Sequence, residues 1–323
     1  MKKTVLFFML AAAFGTAQAA DKIRAAGNFA IEHSSSKAME VFKSDLAKLT
    51  ASELQVDLFP AMQLGGAKEN VDGVRAGTIF MTWVGTAFLS GIVPEMEAVS
   101  VPFVFKDRAA AFRAVDGRVG RLLDQKLGEK GFVSLGWMEL GSRHVTNSKH
   151  PIKALADFKG LKIRLQPNET HLATFRALGA NPVAMDVKEL YSALQQGVVD
   201  GQENPYSIIL ANRYFEVQKY VSDTGHFFDF INIVANKRQF EGMKPEYQKA
   251  IRQAMSSAIA AQRKTAREGD AAALAELRKH GMQFDPVSPA LRAAMRKATA
   301  GVVDNVKKRA GAPLVEAVLK EAK

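Results

Sequence analysis

The chain of 323 residues contains no cysteine. Disulfide bonds, a thiol nucleophile and thiolate metal ligands are therefore excluded. Histidine is scarce as well, since the six histidines are scattered and form no HExxH or paired spacing. The sequence also lacks the GxSxG, GxGxxG and P-loop patterns that carry common catalytic and nucleotide-binding sites. We therefore expect a protein that is not an enzyme and that needs no metal or cofactor.

Long hydrophobic runs are absent except at the N terminus. Lys2 and Lys3 precede the apolar stretch VLFFMLAAAF, and residues 17–19 (AQA) fit small-residue cleavage before Ala20. An uncleaved anchor is the alternative, but the apolar stretch is well short of the ~20 residues that span a bilayer. The sequence thus predicts that residues 1–19 are a signal peptide and that the mature protein is exported.

Acidic residues are outnumbered by basic ones, 33 against 44, and the formal net charge is +11. Nucleic-acid binding would favour a Lys/Arg block interleaved with aromatic residues, which this sequence does not contain. The basic residues are instead spread along helical patterns with Ala and Glu, as expected for solvated helix faces. We expect no nucleic-acid partner, and only a modest role for the charge in attracting anionic solutes.

Short apolar runs alternate with helical patterns along most of the chain. IRAAGNF, LQVDLFP, GTIFMTWV, AVSVPFVF and FVSLGWMEL predict strands, and SSSKAMEVFKSDLAKL, AKENVDGVRAG and DRAAAFRAV predict the helices between them. LKIRLQ, NPVAM, VVDGQ and FFDFINIVANK continue the strand series in the second half. This alternation predicts an α/β fold with largely parallel strands.

The length of the mature chain allows two lobes, each with its own core. An Ala-rich helical pattern from Pro245 toward His280 would span about 50 Å at 1.5 Å per residue. Such a helix should contact both lobes as a spine, with Gly269 as a candidate bend point. We expect the chain to be divided as follows: residues 20–140 plus about 230–269 in the first lobe, and residues 141–229 plus about 270–323 in the second.

Polar side chains follow two predicted strands of the second lobe. Arg164 lies on the outgoing half of LKIRLQ, and Gln202, Glu203 and Asn204 lie at the tip of a Gly-rich turn after VVDG. A guanidinium offers a rigid fork of donors that matches the two oxygens of a carboxylate, and Asn can both donate and accept. The pattern suits carboxylate recognition, although a single arginine of this kind is more often a surface ion pair.

An ordered series of motifs covers essentially all of the mature chain. The series is LGGAKE, VPFVF, GSRHVTNSKHPI, DFKGLKIR, GANPVAM, ELYSALQQGVVDGQENP and YFEVQKYVSDTGH. In this order the motifs resemble those of the substrate-binding subunits of tripartite ATP-independent periplasmic (TRAP) transporters. The resemblance implies a two-lobed fold like that of periplasmic binding proteins, with a ligand cleft between the lobes and a long spine helix.

The resemblance also implies a function. Such a protein would capture a small organic acid by hinge closure, because contacts from both lobes to the ligand exist only in the closed state. It would deliver the acid to the small and large membrane subunits of the transporter. A ligand-presenting sensor subunit for a membrane receptor is the alternative hypothesis, and an enzyme that acts on a carboxylate is a third.

Three residues of the second lobe match ligand-binding positions of the family. Arg164, in the KxR segment, matches the arginine that forms the main ion pair with the substrate carboxylate. Arg143, in GSRHVTN, matches a second arginine that often reaches the ligand, and Asn204 of QENP matches a third contact. The alternative for Asn204 is a turn-capping amide, since Asn-Pro also favours turns.

Four residues of the first lobe are further candidates for ligand contact. Asn28 and Glu32 lie where the first predicted strand meets its helix. Glu69 occupies the family's LGxxxE position, and it would either contact the ligand or stabilise the start of a helix. Trp83 lies at a strand end, where it would either face the ligand or belong to the core.

One departure from the family bears on the ligand. Gly85 and Ala87 stand in a region where the sialic-acid branch carries polar and charged ligand contacts. A sugar acid with many hydroxyl groups would therefore lack some of its partners. We expect a smaller or more apolar organic acid, with apolar walls supplied by aromatic side chains: Phe29, Trp83, Phe227 and Phe228.

Overall fold

The computed structural model describes residues 21–323, so the predicted signal peptide and its cleavage site lie outside the described residues. The strands are β1 (Asp21–Gly27), β2 (Leu54–Phe59), β3 (Met81–Gly85), β4 (Phe132–Ser142), β5 (His144–Asn147), β6 (Lys162–Leu165), β7 (Asn181–Ala184), β8 (Gly201–Asn204), β9 (Tyr220–Ser222), β10 (Phe228–Asn236) and β11 (Gln283–Asp285). The α-helices are α1 (Ser34–Leu49), α2 (Ala67–Ala76), α3 (Arg108–Asp116), α4 (Arg118–Glu129), α5 (Glu169–Ala177), α6 (Val187–Gln195), α7 (Tyr206–Ala211), α8 (Lys237–Glu241), α9 (Pro245–Lys279), α10 (Pro289–Ala298), α11 (Val302–Ala310) and α12 (Ala312–Glu321).

The strands form two sheets, one in each lobe, which confirms the predicted two-lobed α/β fold. The order is β2-β1-β3-β10-β4 in the first sheet and β11-β9-β5-β8-β6-β7 in the second. Both sheets are mixed, whereas the sequence predicted largely parallel strands. β10 runs antiparallel to β3 and β4, and β5 runs antiparallel to β8 and β9. The difference arises because the chain leaves the first sheet through β4 and returns to it through β10, in the opposite direction.

The predicted strand at AVSVPFVF is wrong. Pro94–Ser100 form a 3-10 helix, and residues 101–105 are in no strand. Proline has no N–H to donate to a strand ladder, and this segment holds Pro94 and Pro102 close together. Phe103 has a φ of 56°, which also departs from strand geometry. The apolar run is therefore irregular, with Val101 buried and residues 102–105 partly buried.

The long spine helix is confirmed as α9, which runs for 35 residues without interruption through Gly269. Pro245 at its first position is suited to a helix start, because the N–H that proline lacks would have no partner there. α9 packs against α1 and β4 of the first lobe and against α7 of the second. In its middle, the Gln262 amide donates to the carbonyl of Glu139 at 2.7 Å and accepts from the Glu139 N–H at 3.0 Å.

The last two helices pack on the first lobe. Val302 and Val306 of α11 and Val315 and Val318 of α12 belong to a core shared with apolar residues of α4 and β4. The domain division predicted from the sequence places about residues 270–323, and so both helices, in the second lobe. The tail returns across the molecule because the apolar faces of both helices are buried against the 3-10 helix of the first lobe.

Capping side chains fix the starts of two helices beside the edge where β6 and β7 end. Asn168 accepts a hydrogen bond from the backbone N–H of His171 at 3.0 Å, just before α5. Asp186 accepts one from the N–H of Lys188 at 3.0 Å, just before α6. Each cap satisfies an N–H group that the helix leaves free. β6 and β7 lead almost directly into these caps, so strand ends and helix starts lie along one edge.

No helix within residues 21–323 has the length and apolar character needed to cross a membrane.

Candidate functional site

Arg164 is a buried cation whose partners within the described part of the chain are all neutral. It lies on β6 between β7 and β8, and its relative exposure is 1%. Its Nε and Nη2 atoms donate to the carbonyl oxygen of Met185 at 2.9 and 2.7 Å. No carboxylate of residues 21–323 forms an ion pair with this guanidinium, and burial lowers the pKa of Arg164. The remaining N–H donors of the fork are thus free to take an anion.

Arg143, at the junction of β4 and β5, is equally buried but fully paired. Its Nε lies 2.5 Å from one carboxylate oxygen of Glu203, and its Nη2 lies 2.7 Å from the other. Its Nη1 donates to Asp229 at 3.2 Å. His226 adds a contact to Glu203, with 3.0 Å between Nε2 and the carboxylate. The predicted second ligand arginine is therefore the centre of a closed ionic network.

The pKa values within this network follow from its geometry. Burial alone would lower the pKa of Arg143, but Glu203 and Asp229 outweigh it and raise the value. Burial would raise the pKa of Glu203, and the bidentate contact with Arg143 reverses this and lowers it strongly. Burial dominates at Asp229, whose pKa is raised. Glu203 is therefore the main counter-ion of Arg143.

Several buried polar atoms near the exit of β6 have no hydrogen-bond partner among the described residues. They are Oε1 of Gln166, Nδ2 of Asn168 and both ring nitrogens of His171. The His171 ring stacks on Phe227 with 4.2 Å between centroids, and burial lowers the pKa of His171 to about 3. A buried polar group without a partner is costly. Three such side chains along the segment that follows Arg164 therefore point to a ligand.

The first lobe faces this segment at the end of β3. A Cβ atom added to Gly85 would lie 3.0 Å from Nε2 of Gln166. This contact places the end of a first-lobe strand directly against the second-lobe segment that carries the unpartnered atoms. The absence of a side chain at Gly85 permits this approach.

Trp83 and Asn28 are both deeply buried in the first lobe. The Trp83 ring is fully buried and packs edge-on against Phe42 at 5.7 Å, although its Nε1 has no partner among the described residues. The Asn28 amide donates to Thr82 at 3.0 Å and to the carbonyl of Trp83 at 2.8 Å, and its oxygen accepts from Asn70 at 2.8 Å. Asn28 thus holds the backbone of β3 in place.

The two predicted acidic contacts lie on the surface. The Glu69 side chain is 67% exposed and accepts from the N–H of Gly66 at 2.6 Å, which is the helix-start role that the sequence left open. Glu32 is exposed and borders a surface cavity of ≈ 780 Å³ that neither buried arginine lines. The structure does not bring these acids together with Arg164.

Asn204 lies on a buried strand and not in a turn. The sequence predicted a Gly-rich turn with Gln202, Glu203 and Asn204 at its tip, whereas these residues form β8, which pairs with β5. The Asn204 amide donates to the oxygen of Gln202 at 2.5 Å. Residues 201–204 are all buried, and β5 and β6 flank them within the sheet. Among residues 21–323 no cluster of three or more His, Asp or Glu is arranged to hold a metal ion.

Asp186 connects the two lobes. Besides capping α6, its carboxylate accepts from the backbone N–H groups of Ala67 and Lys68, at 3.3 and 3.1 Å. These N–H groups start α2 of the first lobe, where the helix dipole favours an anion. Asp186 directly follows Met185, whose carbonyl holds Arg164. The contact therefore closes the lobes beside the buried arginine.

A model of the bacterial extracellular solute-binding proteins, family 7, matches residues 26–309. The chain belongs to this family.

Relatives of this solute-binding protein are named for different acids or have been solved with them. The 2,3-diketo-L-gulonate-binding periplasmic protein YiaO of Escherichia coli K12 is 37% identical over 279 residues, which cover 86% of this chain and 85% of the relative. The sugar acid binding protein of Advenella mimigardefordensis, solved with galactonate, superposes with a TM-score of 0.92 at 33% identity, covering 94% and 98% of the two chains. A TRAP periplasmic solute binding protein of Sulfurospirillum deleyianum, solved with succinate, has a TM-score of 0.89 at 29% identity, covering 93% and 99%.

Sequence reasoning missed four polar residues of this solute-binding protein's candidate site. The sequence around Asp186 indicates only a helix start, because the second helix that it contacts lies more than a hundred residues away. Gln166, Asn168 and His171 were not singled out. Their signal was present, since each lies within a few residues of Arg164 on the same outgoing segment.

Proposed function

We propose that this protein is the periplasmic solute-binding subunit of a TRAP transporter, and that it holds the carboxylate of its solute with Arg164. The observation that carries the proposal is the burial of this guanidinium without an acidic partner among residues 21–323. Membership of the family and the acid ligands of its relatives support it.

The physical reason is the cost of a buried charge. An isolated cation in a protein interior is expensive unless an anion and hydrogen bonds compensate it. Met185 supplies one neutral acceptor, which satisfies two donors but not the charge. A ligand carboxylate would supply the missing charge and would match the planar fork.

Capture would work through closure of the two lobes. The segment after β6 supplies Arg164, Gln166 and His171 from the second lobe, and the end of β3 supplies the opposing surface at Gly85. Only the closed arrangement brings these surfaces together, so a ligand that contacts both would shift the population toward it. The Asp186 contact with α2 would stabilise the same state.

The remaining parts of the proposal concern location and partners. Export through the predicted signal peptide, with cleavage before Ala20, would place the protein in the periplasm. The closed form would present the acid to the small and large membrane subunits of the transporter. The relatives described above are binding proteins by name, which does not support the sensor alternative and accords with a protein that is not an enzyme.

A thermal-shift screen of carboxylic acids, each paired with its own amide, tests the proposal. A ligand at 100 times its Kd adds about 2.7 kcal/mol of stability. The amide keeps the shape of the acid but removes the charge that Arg164 would bind. We expect at least one acid to raise the melting temperature and its amide to have little effect. Equal shifts for acid and amide throughout the screen would contradict the assignment.

A further inference from the structure

Arg143 and Arg164 are the only buried lysine or arginine side chains within residues 21–323. Glu203 and Asp229 already bind the first of them, at 2.5 and 3.2 Å. Only Arg164 has no acidic partner. The interior of the protein therefore offers one positive charge to a ligand, and one ligand carboxylate balances it.

The buried, unpartnered polar groups that follow Arg164 along the chain are neutral. Oε1 of Gln166 accepts, Nδ2 of Asn168 donates, and a neutral His171 ring has one donor and one acceptor. Hydroxyl groups both donate and accept, so they can satisfy all of these atoms. An alkyl chain would satisfy none of them and would leave each one buried without a partner, at a cost in affinity.

We infer that the ligand is a monocarboxylate that carries several hydroxyl groups, as in an aldonate, and that the site discriminates against dicarboxylates. The inference rests on the proposed function, since it assumes that Arg164 binds the carboxylate. It differs from the expectation of a smaller or more apolar acid, because the sequence alone does not show which polar atoms are buried without partners.

A second carboxylate would find no unpaired buried counter-ion among the residues that the structure describes. Arg143 could bind it only by giving up Glu203, which would then be buried without its partner. His171 has a pKa of about 3 and is therefore neutral at pH 7. Relatives hold both kinds of acid, galactonate in one structure and succinate in another. Membership of the family alone therefore leaves the choice open, and the charge count decides it for this chain.

Calorimetry with two matched sets of acids tests the inference. One set is D-galactonate, galactarate and hexanoate, and the other is D-erythronate, meso-tartrate and butyrate. Within each set, chain length is constant while a second carboxylate is added or the hydroxyl groups are removed. In at least one set we expect the hydroxylated monoacid to bind more than tenfold more tightly than both others, because unpaired buried groups cost about that much or more.

The outcomes separate the inference from the proposed function. If a diacid or an unsubstituted acid binds within tenfold of the hydroxylated monoacid in both sets, the inference is wrong and the proposed function stands. If none of the six acids binds, the inference is wrong, and the screen of acids against their amides decides the proposed function.

A variant of Gln166 tests the role of the neutral groups. Gln166→Met keeps the length of the side chain and removes its hydrogen bonds. We expect it to weaken binding of the hydroxylated monoacid about tenfold and to reduce its advantage over the unsubstituted acid. Gln195→Met, at an exposed position of α6, is the matched control and should change neither affinity. An unchanged preference in a folded Gln166→Met protein would overturn the inference.

Discussion

Arg143 and Arg164 are two equally buried arginines in opposite electrostatic situations. Arg143 lies where the chain passes between the lobes, and Glu203 and Asp229 converge on it from β8 and β10. Arg164 lies at the end of β6, and the carbonyl of Met185 is its only hydrogen-bond partner among residues 21–323. Burial of a cation is common to both sites and so does not identify a ligand. The number of acidic partners does identify a ligand site. A compensated charge stabilises the fold, whereas an uncompensated charge requires a binding partner.

The largest expected effect is on stability, from Arg143→Met. Removal of this guanidinium leaves Glu203 and Asp229 buried together without their cation, which typically costs about 3 to 5 kcal/mol. Urea unfolding measures the loss. Arg113→Met, at an exposed site on α3, is the control and should change stability little. A variant as stable as the wild type would show that the network does not stabilise the fold, and the contrast between the two arginines would fail.

The second prediction concerns Arg164→Met, which should have the opposite profile. Binding of the acid should weaken about 30-fold to several thousand-fold, since a buried charged pair is broken. Stability without ligand should be unchanged or higher, because an uncompensated charge leaves the interior. Calorimetry and urea unfolding of the same preparation measure both quantities.

Arg176→Met, on the exposed face of α5, is the matched control for Arg164→Met and should leave both quantities as they are. Near-normal affinity in folded Arg164→Met would disprove its role as the counter-ion. A stability loss as large as that of Arg143→Met would show that Arg164 is also structural.

The sequence predicted the fold, and it singled out Arg164 as a candidate ligand residue, because both inferences depend on local patterns and on a motif series. It did not predict that Arg143 would be neutralised. That outcome requires Glu203 and Asp229, which are distant along the chain, to meet at one point when β8 and β10 take their places. Glu203 was visible beside Asn204, but strand register decides which side chain of β8 faces the arginine, and a one-residue shift would reverse the choice.

The third prediction concerns pH and the imidazole of His171, which follows Arg164 along the same segment. The pKa of His171 is about 3 in the folded protein and about 6.5 in an unfolded chain. The unfolded state therefore binds more protons between these values, and stability is lost as pH falls below 6.5. His171→Leu should remove about 2 kcal/mol of the decrease between pH 6.5 and 5, at 1.36 kcal/mol per pKa unit.

Urea unfolding of wild type and His171→Leu at pH 7 and pH 5 measures this difference. His280→Leu, which removes a half-exposed imidazole at the end of α9, is the control for loss of a histidine. An identical loss of stability on acidification in wild type and His171→Leu would show that His171 is not held neutral. The side chains of Arg164 and His171 would then be more accessible to water than their burial indicates.

The smallest expected effect comes from variants of Asp186. They test whether the lobes close beside Arg164. Asp186→Ala removes the cap of α6 and the contact with α2, whereas Asp186→Ser keeps a short side chain that caps α6 but does not reach the other lobe. Both variants should weaken ligand binding by about 3- to 10-fold, since partly exposed hydrogen bonds across the cleft are lost. Only the alanine variant should also lose helix-cap stability.

Small-angle scattering at subsaturating ligand should show a larger radius of gyration for both variants than for wild type. If Asp186→Ser binds and scatters like wild type while Asp186→Ala does not, Asp186 acts only as a cap, and closure depends on the ligand and on Arg164 alone.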